Sequence, residues 1–261
     1  HKELCGGCIH QGKSYEQQLE EKGNDVSMLI SKKEIKVGEY LGIQGSPAQY
    51  RYRNKMEYTF GDTVKDGPLC LGMHRKKHFM SIVTVDECQL VPEDFNRILS
   101  AVLGFCQEKG YSFYHKKSHE GLLRHLIIRY GVRTGELLVN IVTSSQGEFD
   151  DKGFTEMITA LELDNRVVGV LRTINDRLAD AVYCEELKVL WGRDYYMEKI
   201  MGLDFKVSAF SFFQTNVEAA ERLYTEAIDL IDDFEDKNVF DLYCGTGTIT
   251  QALALKAKTV T

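Results

Sequence analysis

The segment that most constrains the fold lies near the end of the sequence, at residues 239–256. A short apolar strand pattern over residues 239–242 includes Asp241; the turn Cys244-Gly245-Thr246-Gly247-Thr248 follows, and then a helix pattern over residues 249–256. Glycines let the backbone pass close to a ligand, and the N–H groups at a helix start are free to bind one. This order predicts the beginning of a βα unit. The GxGxxG pattern of NAD sites and the GxxxxGK[ST] pattern of P-loops are both absent from it.

The first part of the chain predicts one helix and then a strand-rich unit. Residues 14–30 predict a helix with Ser14 as its N-cap and Gln17 in the capping-box position. Four short β-rich segments separated by turn-forming clusters predict antiparallel strands, at residues 35–43, 52–60, 69–74 and 81–85.

The remainder predicts an α+β unit that precedes the glycine turn. A helix is expected from Pro92 to Lys109, since proline suits a helix start, and Gly110 is expected to end it. Asn216 is expected to cap a second helix, which an acidic turn follows. The other predicted elements are strands at residues 125–130, 136–143 and 166–175 and a helix at residues 151–161.

The charge is unevenly distributed along the chain. The net charge is -7 over 261 residues, yet residues 51–130 carry 13 basic and 9 acidic side chains, whereas residues 131–261 carry 13 and 23. A basic face for a nucleic acid is therefore possible in the middle of the chain, and a solvated surface of mixed charge is the alternative. No apolar run approaches the roughly 20 residues of a membrane span, and the charged start is unlike a signal peptide, so a cytoplasmic protein is expected.

Two of the seven cysteines form a tight pair. In Cys5-Gly6-Gly7-Cys8 the spacing lets two thiolates reach one metal, and the glycines permit the tight turn. Zinc, a redox dithiol and an iron-sulfur cluster all remain possible for this pair. Cys88 is the best third ligand and Cys70 the next, and the odd number of cysteines favours reduced thiols.

Several motifs together resemble one enzyme family. The segment DLYCGTGT resembles the first motif of class I S-adenosylmethionine methyltransferases, and the order and spacing of five segments resemble the 23S rRNA (uracil-5-)-methyltransferase family. The five segments are CGGCIHQGKSYEQQLEEK, YRNKMEYTFG, LGMHRKKHFMSIVTVDECQL, FSFFQTN and DLYCGTGT.

The resemblance implies an architecture and a metal cofactor. It implies a truncated Rossmann-like class I methyltransferase domain (α/β, residues 11–43 and 212–261) beside an α+β central RNA-binding domain with an iron-sulfur site (residues 1–10 and 44–211). It also implies a 4Fe-4S cluster held by Cys5, Cys8 and Cys88, with the fourth cysteine expected just before His1.

The resemblance further implies the reaction. Family members add a cysteine thiolate to C6 of the target uridine, so that C5 attacks the methyl group of S-adenosyl-L-methionine. The catalytic cysteine and the base are expected beyond Thr261, none of the seven cysteines is assigned that role, and the fragment alone is expected to be inactive. The cofactor-binding residues implied are Gln214, Asp241, Tyr243, Gly245, Gly247 and Thr248, of which Thr248 departs from the asparagine of some relatives.

The expected substrate is a looped or flipped uridine in 23S rRNA, which implies a role in rRNA processing and no membrane or DNA partner. Basic side chains position phosphates, and aromatic side chains such as Tyr52 stack on unpaired bases. Three other functions stay open: a non-catalytic RNA-binding fragment, a tRNA uridine-C5 methyltransferase, and a zinc-stabilised protein or DNA methyltransferase. The candidate RNA-binding residues are Arg51, Arg53, Lys55, Arg75, Lys76 and Lys77, together with Asn54 and His74.

Overall fold

The largest element of the fold is a seven-stranded mixed sheet. The computed structural model describes residues 3–231 and 236–261, and the strand order in this sheet is β3-β2-β1-β4-β5-β6-β7. Neighbouring strands run antiparallel except β5 and β6, which are parallel because helix α3 carries the chain across between them. The strands are β1 Lys55–Gly61, β2 Cys70–Arg75, β3 His78–Thr84, β4 Leu123–Gly131, β5 Glu136–Thr143, β6 Arg166–Ile174 and β7 Glu186–Gly192.

Two helices cover one face of this sheet. They are α2, Glu93–Glu108, and α3, Asp151–Thr159. Their apolar residues recur at helical spacing, and Phe95, Leu99 and Phe154 are fully buried in the main core against side chains of β1, β4 and β5. Burying such side chains is the main stabilising contribution, at about 1.5–3 kcal/mol each.

The other face carries a hairpin and a helix. Strands β8, Tyr195–Ile200, and β9, Leu203–Ser208, form the hairpin, and helix α4, Val217–Asp229, follows it. Leu138 packs into this second core with Tyr196, whereas the flanking residues of β5 belong to the main core. Successive side chains of a strand point to opposite faces, so β5 joins the two cores.

The last residues form the predicted βα unit. Strand β10, Asn238–Val239, pairs in parallel with β11, Thr259–Val260, and helix α5, Thr248–Ala254, connects them. Ile228 of α4 packs against Ala252 and Leu253 of α5, which attaches this unit to the rest of the fold. The prediction of a strand, a glycine turn and a helix in this order is confirmed.

Helix α1, Tyr15–Lys32, begins as the sequence predicts but stands apart from both cores. Ser14 Oγ accepts from the Gln17 N–H, and the Gln17 side chain accepts from the Ser14 N–H, so the predicted capping box is formed. None of the side chains of α1 is buried. The strand predicted at residues 35–43 is wrong, because this segment has no strand partner in the described part of the chain and leaves Leu41 87% exposed.

The other predicted elements are present with shifted ends. Helix α2 begins one residue later than predicted, with Pro92 as its N-cap, and Gly110 follows its end at φ 66°. Strands β7, β8 and β9 were not predicted, and the predicted acidic turn at residues 232–235 lies outside the described residues. No helix in the described ranges combines the length and the apolar character of a membrane span.

Candidate cofactor turn, cysteine site and basic surface

The turn between β10 and α5 contains three residues in the left-handed region of backbone conformation. Tyr243, Gly245 and Gly247 all have positive φ, at 66°, 56° and 74°. The Gly247 N–H donates to the Cys244 carbonyl at 2.8 Å, which closes the turn. Only glycine adopts such a conformation without strain, so both glycines are required by the backbone path. A tyrosine at φ 66° is unusual and marks this turn as a candidate functional site.

The side chains around the turn divide into fixed and free groups. Asp241 is fixed, because Thr250 Oγ1 donates to its Oδ2 at 2.5 Å and its own N–H donates to the Thr261 carbonyl at 2.8 Å. Thr248 is buried, and its Oγ1 lies 3.2 Å from Thr246 Oγ1. Tyr243 is fully exposed. The turn therefore presents an oriented carboxylate and a free aromatic ring, two groups suited to the polar and planar parts of a nucleoside.

Gln214 precedes helix α4 in a segment that is tied to the central sheet. The side chain of Gln214 is exposed, while its carbonyl accepts from Asn54 Nδ2 at 3.1 Å. The Asn54 N–H donates to the Thr215 carbonyl at 3.0 Å, and Asn216 Oδ1 caps α4 by accepting from the Ala219 N–H. Asn54 is 1% exposed. It holds the Gln214 segment in place and is not available to RNA, contrary to the prediction.

The three predicted cysteine ligands lie on two parts of the chain that are distant in sequence. Residues 4–6 pair with the end of β2, through the Gly6 N–H to the His74 carbonyl at 2.9 Å and the Lys76 N–H to the Leu4 carbonyl at 2.8 Å. The backbone at Cys88 is clamped by Asn96 of α2, whose Oδ1 accepts from the Cys88 N–H at 3.1 Å.

The surroundings of the Cys8 thiol, including the other two cysteines, change its pKa. Burial raises the pKa of Cys8, the Cys88 and Cys5 thiolates raise it further, and Arg53 opposes them. All three thiols are free, as is Cys70, which lies in the core with its Sγ 3.4 Å from Thr63 Oγ1. Within residues 3–231 and 236–261, no three His, Cys, Asp or Glu side chains are arranged to hold a metal ion. In the described residues the three cysteines therefore form no metal-ion site.

A buried tyrosine beside the cysteines was not predicted from the sequence. Tyr58 is fully buried, and its hydroxyl has no hydrogen-bond partner among the described residues. Burial raises the pKa of Tyr58, and the nearby Cys88 thiolate raises it further. An unsatisfied buried hydroxyl is costly, at about 1–3 kcal/mol, and calls for an explanation. The only signal for this position in the sequence was the alternation of large apolar and aromatic residues along β1.

The predicted RNA-binding residues form two groups. Arg51, Arg53 and Lys55 lie at the start of β1, where Arg51 faces Glu93 at 3.5 Å and Lys55 faces Glu57 at 3.4 Å. Arg53 Nε donates to the Lys55 carbonyl at 3.0 Å. The second group, Arg75, Lys76 and Lys77, occupies the turn of the β2–β3 hairpin, where Lys76 and Lys77 are exposed. His74 precedes this group and is half-buried.

Known proteins resemble the chain over almost its full length. It is 49% identical over 256 residues to a protein of Clostridium tetani named as an uncharacterized RNA methyltransferase, and 50% identical over 258 residues to one of Caldanaerobacter subterraneus with the same description. Each match covers 98% of this chain and 56% or 57% of the relative. The chain thus spans about half the length of the curated relatives it matches. No protein-family model matches the chain.

A solved structure has a similar fold. It is the tRNA (uracil-54, C5)-methyltransferase of Pyrococcus abyssi in complex with S-adenosyl-L-homocysteine, with a TM-score of 0.77 and 26% identity over 96% of this chain and 56% of that one. The chain therefore has a mixed α/β fold similar to that of an RNA uracil-C5 methyltransferase, and its relatives in sequence are named RNA methyltransferases.

Proposed function

We propose that the protein to which this chain belongs transfers a methyl group from S-adenosyl-L-methionine to C5 of a uridine in RNA. The glycine turn between β10 and α5 carries this proposal, because its positive-φ backbone and oriented Asp241 occur in a chain whose relatives are named RNA methyltransferases. When bound, the cofactor supplies an electrophilic methyl group. We assign no catalytic residue within this chain, and we expect this part of the protein to be inactive by itself.

The cofactor residues have separate roles in this proposal. Gly245 and Gly247 let the backbone approach the ligand, and the Asp241 carboxylate accepts hydrogen bonds from it. Tyr243 and Gln214 are exposed and contribute a ring and an amide, while Thr248 is buried and supports the turn. The division into residues 11–43 and 212–261 for cofactor binding, and residues 1–10 and 44–211 for RNA binding, belongs to the same proposal.

Cys5, Cys8 and Cys88 are proposed as three ligands of a 4Fe-4S cluster. A tetrahedral zinc site needs thiolates close together around one ion, whereas in a cluster each thiolate binds its own iron, so the sulfurs are spread more widely. The motif resemblance, which places these three cysteines at cluster-ligand positions, supports the cluster over zinc. The unpaired hydroxyl of Tyr58 also fits, because a thiolate or sulfide would accept its hydrogen bond.

The RNA target is proposed to be 23S rRNA, by the motif resemblance, with the basic residues of the β1 start and the β2–β3 turn as phosphate contacts. A tRNA target is the second candidate, because the solved structure of similar fold is named as a tRNA methyltransferase.

An assay on the full-length natural protein distinguishes these targets. The protein, purified without oxygen, is incubated with isotope-labelled S-adenosylmethionine and unmodified 23S rRNA or tRNA, and the digested nucleosides are identified by mass spectrometry. Methylated uridine in rRNA supports the first target, and methylated uridine in tRNA alone supports the second. Labelling of neither RNA contradicts the proposed activity.

Two matched pairs of variants test the sites. Asp241→Ala is expected to weaken binding of S-adenosylhomocysteine by roughly 10- to 100-fold, the loss of a charged hydrogen-bond acceptor, whereas Asp204→Ala on β9 leaves binding unchanged. Cys88→Ser is expected to reduce iron from about four per chain, whereas the exposed Cys184→Ser retains it. Zinc without iron in the natural protein would refute the cluster assignment.

A further inference from the structure

A groove of about 580 Å³ lies beside the edge strand β3, outside the proposed cofactor and cysteine sites. Met80 of β3 and Phe113 in the loop before β4 both line it. Lys65, Lys116 and Lys117 also line it. Its volume is in the range of sites that bind small organic molecules, and is too small for the body of a folded partner.

The charges around the groove favour an anionic ligand. Three lysines and a single carboxylate, Asp62, line it, although the chain as a whole has a net charge of -7. Lys116 is held by an ion pair with Asp180. Lys65 is 90% exposed, with its Nζ 3.9 Å from Asp66 Oδ2, and Lys117 is exposed, so solvent reaches both ammonium groups.

The turn that displays Lys117 is built by hydrogen bonds. His115 Nδ1 accepts from the N–H groups of Lys117 and Ser118 at 3.3 and 3.4 Å, and the His119 N–H donates to the His115 carbonyl at 2.8 Å. His119 has φ 59°. The backbone at Lys117 is therefore held in place by hydrogen bonds within the turn.

Strand β3 links the groove to the basic turn of the β2–β3 hairpin. Met80 of this strand lines the groove, and Phe79, closer to the turn, has 75% of its surface exposed. Exposed apolar and aromatic side chains next to cations are the composition of single-strand RNA sites.

We propose that this groove binds an unpaired segment of RNA, with a base against Met80 and Phe113 and the flanking phosphates at Lys65 and Lys117. The proposal rests on the proposed function, because it specifies how the RNA substrate is held outside the reaction site. An unpaired strand is favoured over a duplex, since the groove admits single bases and a duplex is contacted mainly on its outer surface.

Binding of a labelled oligouridine of about 12 nucleotides to the full-length protein tests the proposal, by fluorescence anisotropy over a range of salt concentrations. Each cation that neutralises a phosphate of a single strand adds about 0.7 to the salt slope, so the double variant Lys65→Gln/Lys117→Gln is expected to lower the slope by about 1.4. Lys152→Gln on helix α3 is the control, because Lys152 is 86% exposed and does not line the groove.

A second pair of variants tests the base contact. Met80→Asp is expected to weaken binding at least about fivefold, the loss expected for one stacked base, whereas Met80→Leu retains binding. Met80 is 37% exposed, so the change does not empty the core. Photo-crosslinking with 4-thiouridine in the same oligonucleotide is expected to label the groove.

The outcomes separate this proposal from the proposed function. If the wild-type protein methylates RNA and the lysine variants bind with an unchanged salt slope, the groove assignment is overturned and the activity stands. Crosslinks confined to other surfaces overturn it in the same way. The groove assignment also fails if a ligand that occupies the groove, such as an acidic peptide, does not displace the RNA. If the wild-type protein neither binds nor methylates RNA, both proposals fail.

Discussion

Arg124 is a buried cation that holds the loop after β6. Its side chain lies on β4 and is 3% exposed. Nη1 donates to the carbonyls of Asn175 and Arg177 at 2.9 and 2.7 Å, and Nη2 donates to that of Ala179 at 2.8 Å. The guanidinium also lies 4.2 Å from the ring centroid of Tyr114. We expect Arg124→Met to open this loop while leaving the sheet folded.

The magnitude follows from the three hydrogen bonds. A hydrogen bond from a charged donor contributes about 1.5–3 kcal/mol, so three of them would give roughly 4.5–9 kcal/mol. The outer part of the loop is exposed, and its carbonyls bind water once the loop opens, which reduces the expected loss to roughly 2–4 kcal/mol. Methionine keeps the apolar stem of the side chain, so little further cost is expected from packing.

Hydrogen exchange at the amides of residues 175–177 measures this opening directly. A loss of about 2 kcal/mol corresponds to exchange about 30-fold faster. Arg166→Met is the matched control, because Arg166 is 73% exposed and its ion pair with Glu136 contributes little. Unchanged exchange at residues 175–177 in Arg124→Met would refute the reasoning. Because Asp180 in this loop pairs with Lys116, a loosened loop would also disturb the proposed RNA groove.

Three further changes have expected outcomes. Burial lowers the pKa of His125 to about 4, so its contribution to stability is complete above about pH 6.5 and is lost as the pH falls toward 4. Urea unfolding from about pH 7 to 4.5 should therefore show a free energy of unfolding that falls with pH, and His125→Gln should reduce this slope. An equal slope in the variant would contradict the prediction. Gly247→Ala should cost about 1 kcal/mol and weaken S-adenosylhomocysteine binding in calorimetry, whereas Gly202→Ala, at a similar φ of 76° in open space, should cost as much without changing affinity. Asn54→Ala removes the donor to the Gln214 carbonyl and should lower the free energy of unfolding by about 1–3 kcal/mol; loss of stability without loss of cofactor affinity would show that this contact does not position the cofactor segment.

Local signals in the sequence were sufficient for several elements. The capping box at Ser14, the helix beginning after Pro92 and the glycine turn at residues 244–248 were all predicted, because each depends on the conformational preference of a few neighbouring residues. The strand predicted at residues 35–43 is wrong, because a strand depends on residues that are distant in sequence. An alternating pattern describes a strand only if a neighbouring strand pairs with it, and none does so in the described residues.

The residues of the candidate sites were predicted with unequal success. The motif resemblance implies Asn54 as an RNA contact, yet Asn54 is buried and its side chain donates to the Gln214 carbonyl. The groove beside Met80 was missed entirely. Its lining comes from three segments that are distant in sequence, so no spacing or motif signals it.

The sequence by itself determined the start of helix α1, the positive-φ turn at Gly245 and Gly247, and the apolar pattern of the main core, since these follow from residue type and periodicity. The tertiary structure decided which distant groups meet. The start of the chain pairs with the end of β2, and among the described residues the packing leaves the hydroxyl of the buried Tyr58 without a hydrogen-bond partner. Such contacts depend on strand order and register, which are set by packing over the whole chain and not by the residues on either side.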